Sequence, residues 1–198
     1  MFKMGKEKYL KDVESLFKKS GVVNYNSIER IVRNKKNVKS YTKQLTRNLI
    51  KQGKIKRLTK GYYTIYDYSS LAVFCFKPAY LGLQDALSFY NLWEQETIPV
   101  IITTSKIRPG IRKILGSNVL IRRINKKYMF GYDYLKQEEF YFPYSDIEKT
   151  FIDMVYFKEK LSEEALKNII AGINRKKLNS YLRLYSKKMK ERVLKIIG

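Results

Sequence analysis

Histidine is absent from this 198-residue chain, and cysteine occurs once, at Cys75. A single thiol excludes an intrachain disulfide. Without histidine, a Cys/His zinc site and any mechanism built on a histidine base are excluded as well. The chain also has no run of 18 or more apolar residues, so no transmembrane helix is predicted. Near the start, Lys3, Lys6 and Lys8 lead into no apolar stretch, so no signal peptide is predicted either. The expectation is a soluble, cytoplasmic protein with no membrane partner.

Acidic residues are scarce: 18 Asp/Glu stand against 41 Lys/Arg, a formal net charge of +23. Lysine excess by itself says little, so its placement matters more. Residues 1–65 hold 18 Lys/Arg and 4 Asp/Glu, residues 66–174 hold 14 and 13, and residues 175–198 hold 9 and 1. The charge sits at the two ends around a nearly neutral middle. That distribution predicts a polyanion-binding head and a second contact at the tail. With 44% apolar residues the chain can still bury a core.

Residues 6–19 place Tyr9, Leu10, Val13, Leu16 and Phe17 at helical spacings, with Gly21 as a stop. Residues 26–33 predict a short second helix capped by Asn26 or Ser27, with Ile28, Ile31 and Val32 inward. A third helix is predicted over 37–52. Val38, Tyr41 or Thr42, Leu45 and Leu49 form its apolar stripe, and Gly53 ends it. Two strands, 54–58 and 62–66, follow around the basic turn Thr59-Lys60-Gly61.

Three helices and a basic hairpin read as a winged helix-turn-helix, with the third helix as the recognition element. Lys39, Ser40, Lys43, Gln44 and Arg47 are the expected outward side chains of that helix. Lys and Arg reach phosphate or guanine, Gln pairs with adenine, and Ser serves either. Gln44 and Arg47 are expected to read bases. Lys39, Lys43 and the hairpin cations Lys56, Arg57 and Lys60 are expected to set affinity. The competing view of each element is a merely solvated lysine-rich face. Winged helices also serve as protein-docking modules.

The expected domain boundary falls at residue 67, with a second, mixed domain over 68–198. Its reading is a linker and apolar run (67–76), in which Cys75 is a small buried hydrophobe. Then come a helix over 80–91, a strand over 99–105, and a strand meander of 118–124, 128–135 and 138–144. The last third reads as helices over 145–158, 161–172 and 175–196, the last in one or two pieces. Ser145 with Glu148 fits a capping box, and Ser162 is a weaker candidate cap. The fold class is therefore α+β: a winged head, a small mostly antiparallel sheet, and a helical C-terminal third. Arg175, Lys176, Lys177, Lys187, Lys188 and Arg192 are candidates for a second nucleic-acid or partner contact, with a solvated helix as the alternative.

Four stretches together resemble a known family. They are Leu58-Thr59-Lys60-Gly61-Tyr62-Tyr63; residues 78–90 (PAYLGLQDALSFY); Ile101-Ile102-Thr103-Thr104-Ser105 with its basic follow-on; and Phe130-Gly131-Tyr132 followed by residues 146–153 (DIEKTFID). In order and spacing the chain resembles the AbiEi-type antitoxins of abortive-infection (type IV) toxin–antitoxin systems. The resemblance implies a winged head that binds inverted repeats in its own promoter as duplex DNA. It also implies a C-terminal domain that counteracts a nucleotidyltransferase toxin, without a stable complex being required.

Among rival functions, a generic winged-helix regulator and an RNA binder stacking bases on tyrosines such as Tyr62 and Tyr63 remain open. Nuclease or transferase chemistry would need a paired carboxylate site. Asp146 and Asp153 lie two turns apart with Glu148 pointing elsewhere. Gly116-Ser117 resembles the Gly-Ser start of a nucleotidyltransferase site, but the acidic pair that should follow is missing and Asp133 stands alone. No catalytic residue, metal ligand or cofactor is assigned.

Overall fold

The computed structural model describes residues 9–32 and 36–198. Lys3, Lys6, Lys8, the first turn of the predicted helix from residue 6, and Arg33 lie outside the described residues. Chain contacts divide the protein into two compact units. One holds the chain up to Cys75 together with Lys113–Ser117, and the other holds Phe76–Arg112 and Asn118–Gly198. Both helices and sheets are present, which makes the protein α+β.

In the first unit, α1 (Leu10–Lys19), α2 (Tyr25–Ile31) and α3 (Val38–Lys51) precede the hairpin β2 (Lys56–Thr59) and β3 (Tyr62–Thr64). A two-residue strand not expected from the sequence, β1 (Val23–Asn24), pairs with β3 and completes a three-stranded sheet. It shifts the start of α2. The cap is Asn24, whose side chain accepts from the Ser27 backbone N–H at 2.8 Å, rather than Asn26 or Ser27. Val13 and Phe17 of α1, Ile28 of α2, and Leu45 and Leu49 of α3 close one core with Val23, Ile55 and Tyr63. Each fully buried side chain of this size contributes about 1.5–3 kcal/mol. Ser69–Cys75, expected as a linker and apolar run, forms a 3-10 helix that buries Leu71, Ala72 and Val73. Cys75 is half-buried, and burial pushes its thiol up to about 12, so it stays protonated at neutral pH.

The second unit carries the strands β4 (Ala79–Leu81), β5 (Val100–Thr103), β6 (Gly110–Ile114), β7 (Ser117–Arg123), β8 (Tyr132–Gln137) and β9 (Phe140–Ser145), most of β6 and β7 included. Their order is β6-β7-β5-β4-β9-β8. This corrects one expectation. The predicted strands 118–124 and 128–135 are not neighbours in a meander, because β5, β4 and β9 lie between β7 and β8. The sheet is mixed: β5 pairs parallel with β7 and β4 parallel with β9, while β4–β5 and β8–β9 are antiparallel. Every residue of β4 and β5 is buried, the condition under which parallel ladders occur.

The predicted helix over 80–91 also divides. Its first part is β4, and the helix α4 covers only Gln84–Phe89. Leu83 breaks the backbone between them with a φ of 56°. Leu81 and Leu83 fit either period, so spacing alone could not separate strand from helix there. Gly82 sits close at this corner: a Cβ would stand 2.7 Å from Ile102 Cδ1, and that methyl would have to shift.

Helices α5 (Ile147–Phe157), α6 (Glu163–Gly172), α7 (Arg175–Leu182) and α8 (Lys187–Ile197) complete the unit. Phe151, Ile152, Met154 and Val155 of α5 pack with Tyr80 and Ile102 of the sheet, Ile169 of α6, Leu178 and Leu182 of α7, and Val193 of α8. Side-chain caps fix three helix starts: Ser162 for α6, Asn174 for α7 and Ser186 for α8. Ser145 is not the cap of α5. Asp146 is, accepting from the Lys149 N–H at 2.7 Å, while the Ser145 hydroxyl meets that of Thr150 at 2.7 Å. No helix among the described residues is long and apolar enough to cross a membrane.

Candidate nucleic-acid interface

Helix α3 starts cleanly because Asn37 accepts from the Ser40 N–H at 3.1 Å. Its inner face is set by Thr42, Leu45, Thr46 and Leu49, all buried. Thr46 turns its hydroxyl back to the Thr42 carbonyl at 2.8 Å, so a polar residue is tolerated on the core side. The opposite face carries Lys39, Ser40, Lys43, Gln44 and Arg47, every one exposed. At 100° per residue these five span an arc of about 140°. The structure thus brings the five helix candidates onto one surface.

Lys51 belongs to the same arc and was overlooked; its signal is the spacing of four from Arg47. Lys39, Lys43, Arg47 and Lys51 form an unbroken i, i+4 ladder, and no acidic residue lies in α3. Among the described residues none of the four makes an ion pair. Like charges at this spacing destabilise a helix by about 0.2–0.5 kcal/mol per pair. A polyanion lying along the arc would relieve that repulsion.

The hairpin candidates have different fates. Lys60 and Arg57 are exposed, and Gly61 makes the turn with a φ of 80°. Arg57 bends toward its own strand, donating from Nε to the Thr59 carbonyl at 3.3 Å. Lys56 is ion-paired with Asp67 at the surface. Tyr25 joins hairpin and helix. Its N–H donates to the Gly61 carbonyl at 2.8 Å, and its hydroxyl donates to the Lys39 carbonyl at 3.0 Å. One tyrosine thereby sets the hairpin tip against the first turn of α3. Nothing in the local spacing marks Tyr25, because both bonds are made across the fold. Tyr63 is buried and Tyr62 half-buried, so neither offers an open stacking face.

In the second unit the carboxylates considered for catalysis are engaged in structure. Asp153 is fully buried with Lys149, and the Tyr80 hydroxyl donates to it at 2.6 Å. The Lys149 ammonium also lies 5.2 Å from the Tyr80 ring centroid and 2.8 Å from its hydroxyl. Burial pulls Lys149 down and pushes Asp153 up, and each partner counteracts the other's shift. Gly131 lies against this pair: its φ is 70° and a Cβ would stand 2.9 Å from Lys149 Cβ.

Asp146 and Glu148, expected to diverge, converge on Lys177 at 3.1 and 3.4 Å. Asp146 is a cap with extended backbone, so helical spacing does not govern its direction. Its other bond is from the Tyr181 hydroxyl at 2.7 Å, and Glu148 accepts from the Asn174 N–H at 2.7 Å. Burial and that bond push Tyr181 up to about 12. Desolvation opposes the Lys177 charge, but the two carboxylates outweigh it and hold its pKa above the ordinary value. Lys177 is therefore a structural cation. Arg175, Lys176, Lys187, Lys188 and Arg192 are exposed, with Lys187 only 4.0 Å from Glu191. Gly116-Ser117 falls in a hairpin turn, with Leu115 and Gly116 at φ 50° and 83°, and Asp133 is exposed on β8.

The geometry defines a two-unit α+β protein with a cationic helix face on its N-terminal unit. No family model matches the chain, and no curated protein does. Among solved structures, the chain is similar to the RV2827C protein from Mycobacterium tuberculosis. The TM-score is 0.57 at 13% identity, covering 96% of this chain and 76% of that one. That likeness concerns the fold.

Proposed function

We propose that this protein is a non-enzymatic, sequence-specific DNA-binding regulator that acts in the cytoplasm. Its N-terminal unit is read as a winged helix-turn-helix, in which α2 and α3 are the turn-helix pair and β2–β3 the wing. The observation that carries the reading is the uncompensated ladder Lys39–Lys43–Arg47–Lys51 on the exposed face of α3. Gln44 lies among these cations, where a bidentate side chain can read a base edge. The link from Tyr25 to both the hairpin and α3 supports a wing held in fixed register with the recognition helix.

The AbiEi resemblance adds the rest of the proposal: the DNA target is an inverted repeat in the protein's own promoter, and the second unit counteracts a nucleotidyltransferase toxin. Stacking of single-stranded RNA bases on Tyr63 is disfavoured by its burial. The test is a gel-shift titration against the DNA upstream of the protein's own gene, with scrambled duplex as competitor. Preference for an upstream inverted repeat, relaxed by Gln44→Ala with little change on scrambled DNA, is the expected result. Equal affinity for both duplexes would reduce the protein to a nonspecific polyanion binder.

A further inference from the structure

The second unit carries an open groove of about 440 Å³ lined by the end of α5, by Leu161 and α6, and by α8. Its floor is apolar, built from Val155, Leu161, Leu166 and Ile196, and Ile196 is 39% exposed despite its size. Lys158 and Arg192 stand at the rim, both exposed. Glu159 also lines it, but that carboxylate is held by Arg122 and by the Gln84 amide, neither of which lines the groove.

Arg192 continues into a ridge. Lys188, Arg192 and Lys195 recur at i, i+4 and i+7 along α8. At 100° per residue they fall within an arc of about 60°. None of the three makes an ion pair among the described residues. An apolar floor beside a cationic ridge is the chemistry of helix-in-groove recognition, where apolar anchors seat and the flanking charge selects the partner. A nucleic acid would use the ridge and leave the floor without purpose.

We propose that this groove docks an acidic, amphipathic helical segment of a partner protein. Its apolar side chains seat on the Leu161–Leu166–Ile196 floor, and its carboxylates face Lys158, Lys188 and Arg192. The inference does not rest on DNA binding by the first unit, so either can fail alone.

The experiment uses the full-length protein and a fluorescein-labelled synthetic peptide with leucine at i, i+3, i+4 and i+7 on a Glu/Ala background. A peptide of the same composition in scrambled order is the control, and anisotropy is read at two salt concentrations. Saturable binding of the patterned peptide, at least tenfold tighter than the scrambled one, is expected. Arg192→Glu and Ile196→Asp should each weaken it at least tenfold. Circular dichroism melts select variants that remain folded, and Ile196→Ser replaces Ile196→Asp if the latter does not. Equal binding of the two peptides would overturn the proposal, as would folded variants that bind like the parent. Displacement of the peptide by a poly(dT) oligonucleotide whose own binding needs Arg192 but not Ile196 would also overturn it, assigning the ridge to nucleic acid.

Discussion

The lysines of α3 and those around α5 show how differently one side chain can be used in one chain. Lys39, Lys43 and Lys51 stand in water along a helix that has no acidic residue to balance them. Lys149 is wholly buried against Asp153 and Tyr80, and Lys177 is shared by Asp146 and Glu148. In the first group the charge is left available, at a small cost in helix stability. In the second it is consumed by the fold. Net charge alone therefore overstates the polyanion-binding surface of the second unit, while for α3 it does not.

The comparison can be broken most sharply at Lys149. Lys149→Met leaves Asp153 buried without its partner and should cost about 3–5 kcal/mol in urea unfolding. Adding Asp153→Leu should recover much of that loss. A single variant that unfolds like the parent would show that the pair is not buried as a pair. By contrast, Lys39→Ala should stay within about 0.5 kcal/mol of the parent.

Asp85 offers the next largest effect. Its carboxylate accepts from the Val100 N–H at 3.1 Å, yet burial raises its pKa to about 7. Between about pH 4 and 7 the native state then holds a proton that the unfolded chain has lost, so stability falls as pH rises through that window. The loss attributable to Asp85 is on the order of 4 kcal/mol. Asp85→Asn keeps the acceptor and should flatten the profile between about pH 4 and 7. An unchanged slope would remove Asp85 as its source.

On DNA, the triple variant Lys39→Ala, Lys43→Ala, Lys51→Ala should weaken operator and scrambled duplex alike. It should lower the slope of log affinity against log salt by about 2–3, and the fold should be no less stable, since like-charge repulsion is removed. Unchanged salt dependence would take the ladder out of the interface. A small effect is expected from Tyr25→Phe, which loses the bond to the Lys39 carbonyl. About 0.5–1 kcal/mol of stability should go, with a modest loss of duplex affinity that a gel shift and a thermal melt would detect together.

The helices and the hairpin were legible because their signals are local. Apolar residues at helical spacings marked α1 and α3, and the cations of α3 follow from which positions the apolar stripe leaves outside. Errors clustered where local signals tie or compete. Asn24 displaced Asn26 and Ser27 as the cap of α2 because a short strand, β1, ends there. Asp146 displaced Ser145 at α5 because the serine hydroxyl is engaged by Thr150 and by the Leu81 carbonyl. Within the candidate interface, five helix residues were read correctly as exposed and Lys51 was overlooked. The pairing of Lys56 with Asp67 was invisible, since the partner is 11 residues away.

By itself the sequence determined the α+β class, the excess of positive charge at both ends, the exclusion of histidine and disulfide chemistry, and the outward cations of α3. Each depends on composition or on a period of a few residues. Only the tertiary structure decided that β4 and β5 are central strands with parallel neighbours. Only it placed Lys149 beneath Gly131 against Tyr80, brought Asp146 and Glu148 onto one lysine, and used Tyr25 to tie the hairpin to α3. These arrangements join residues far apart in the chain. Their free energy comes from desolvation and long-range packing, which no window of neighbouring residues contains.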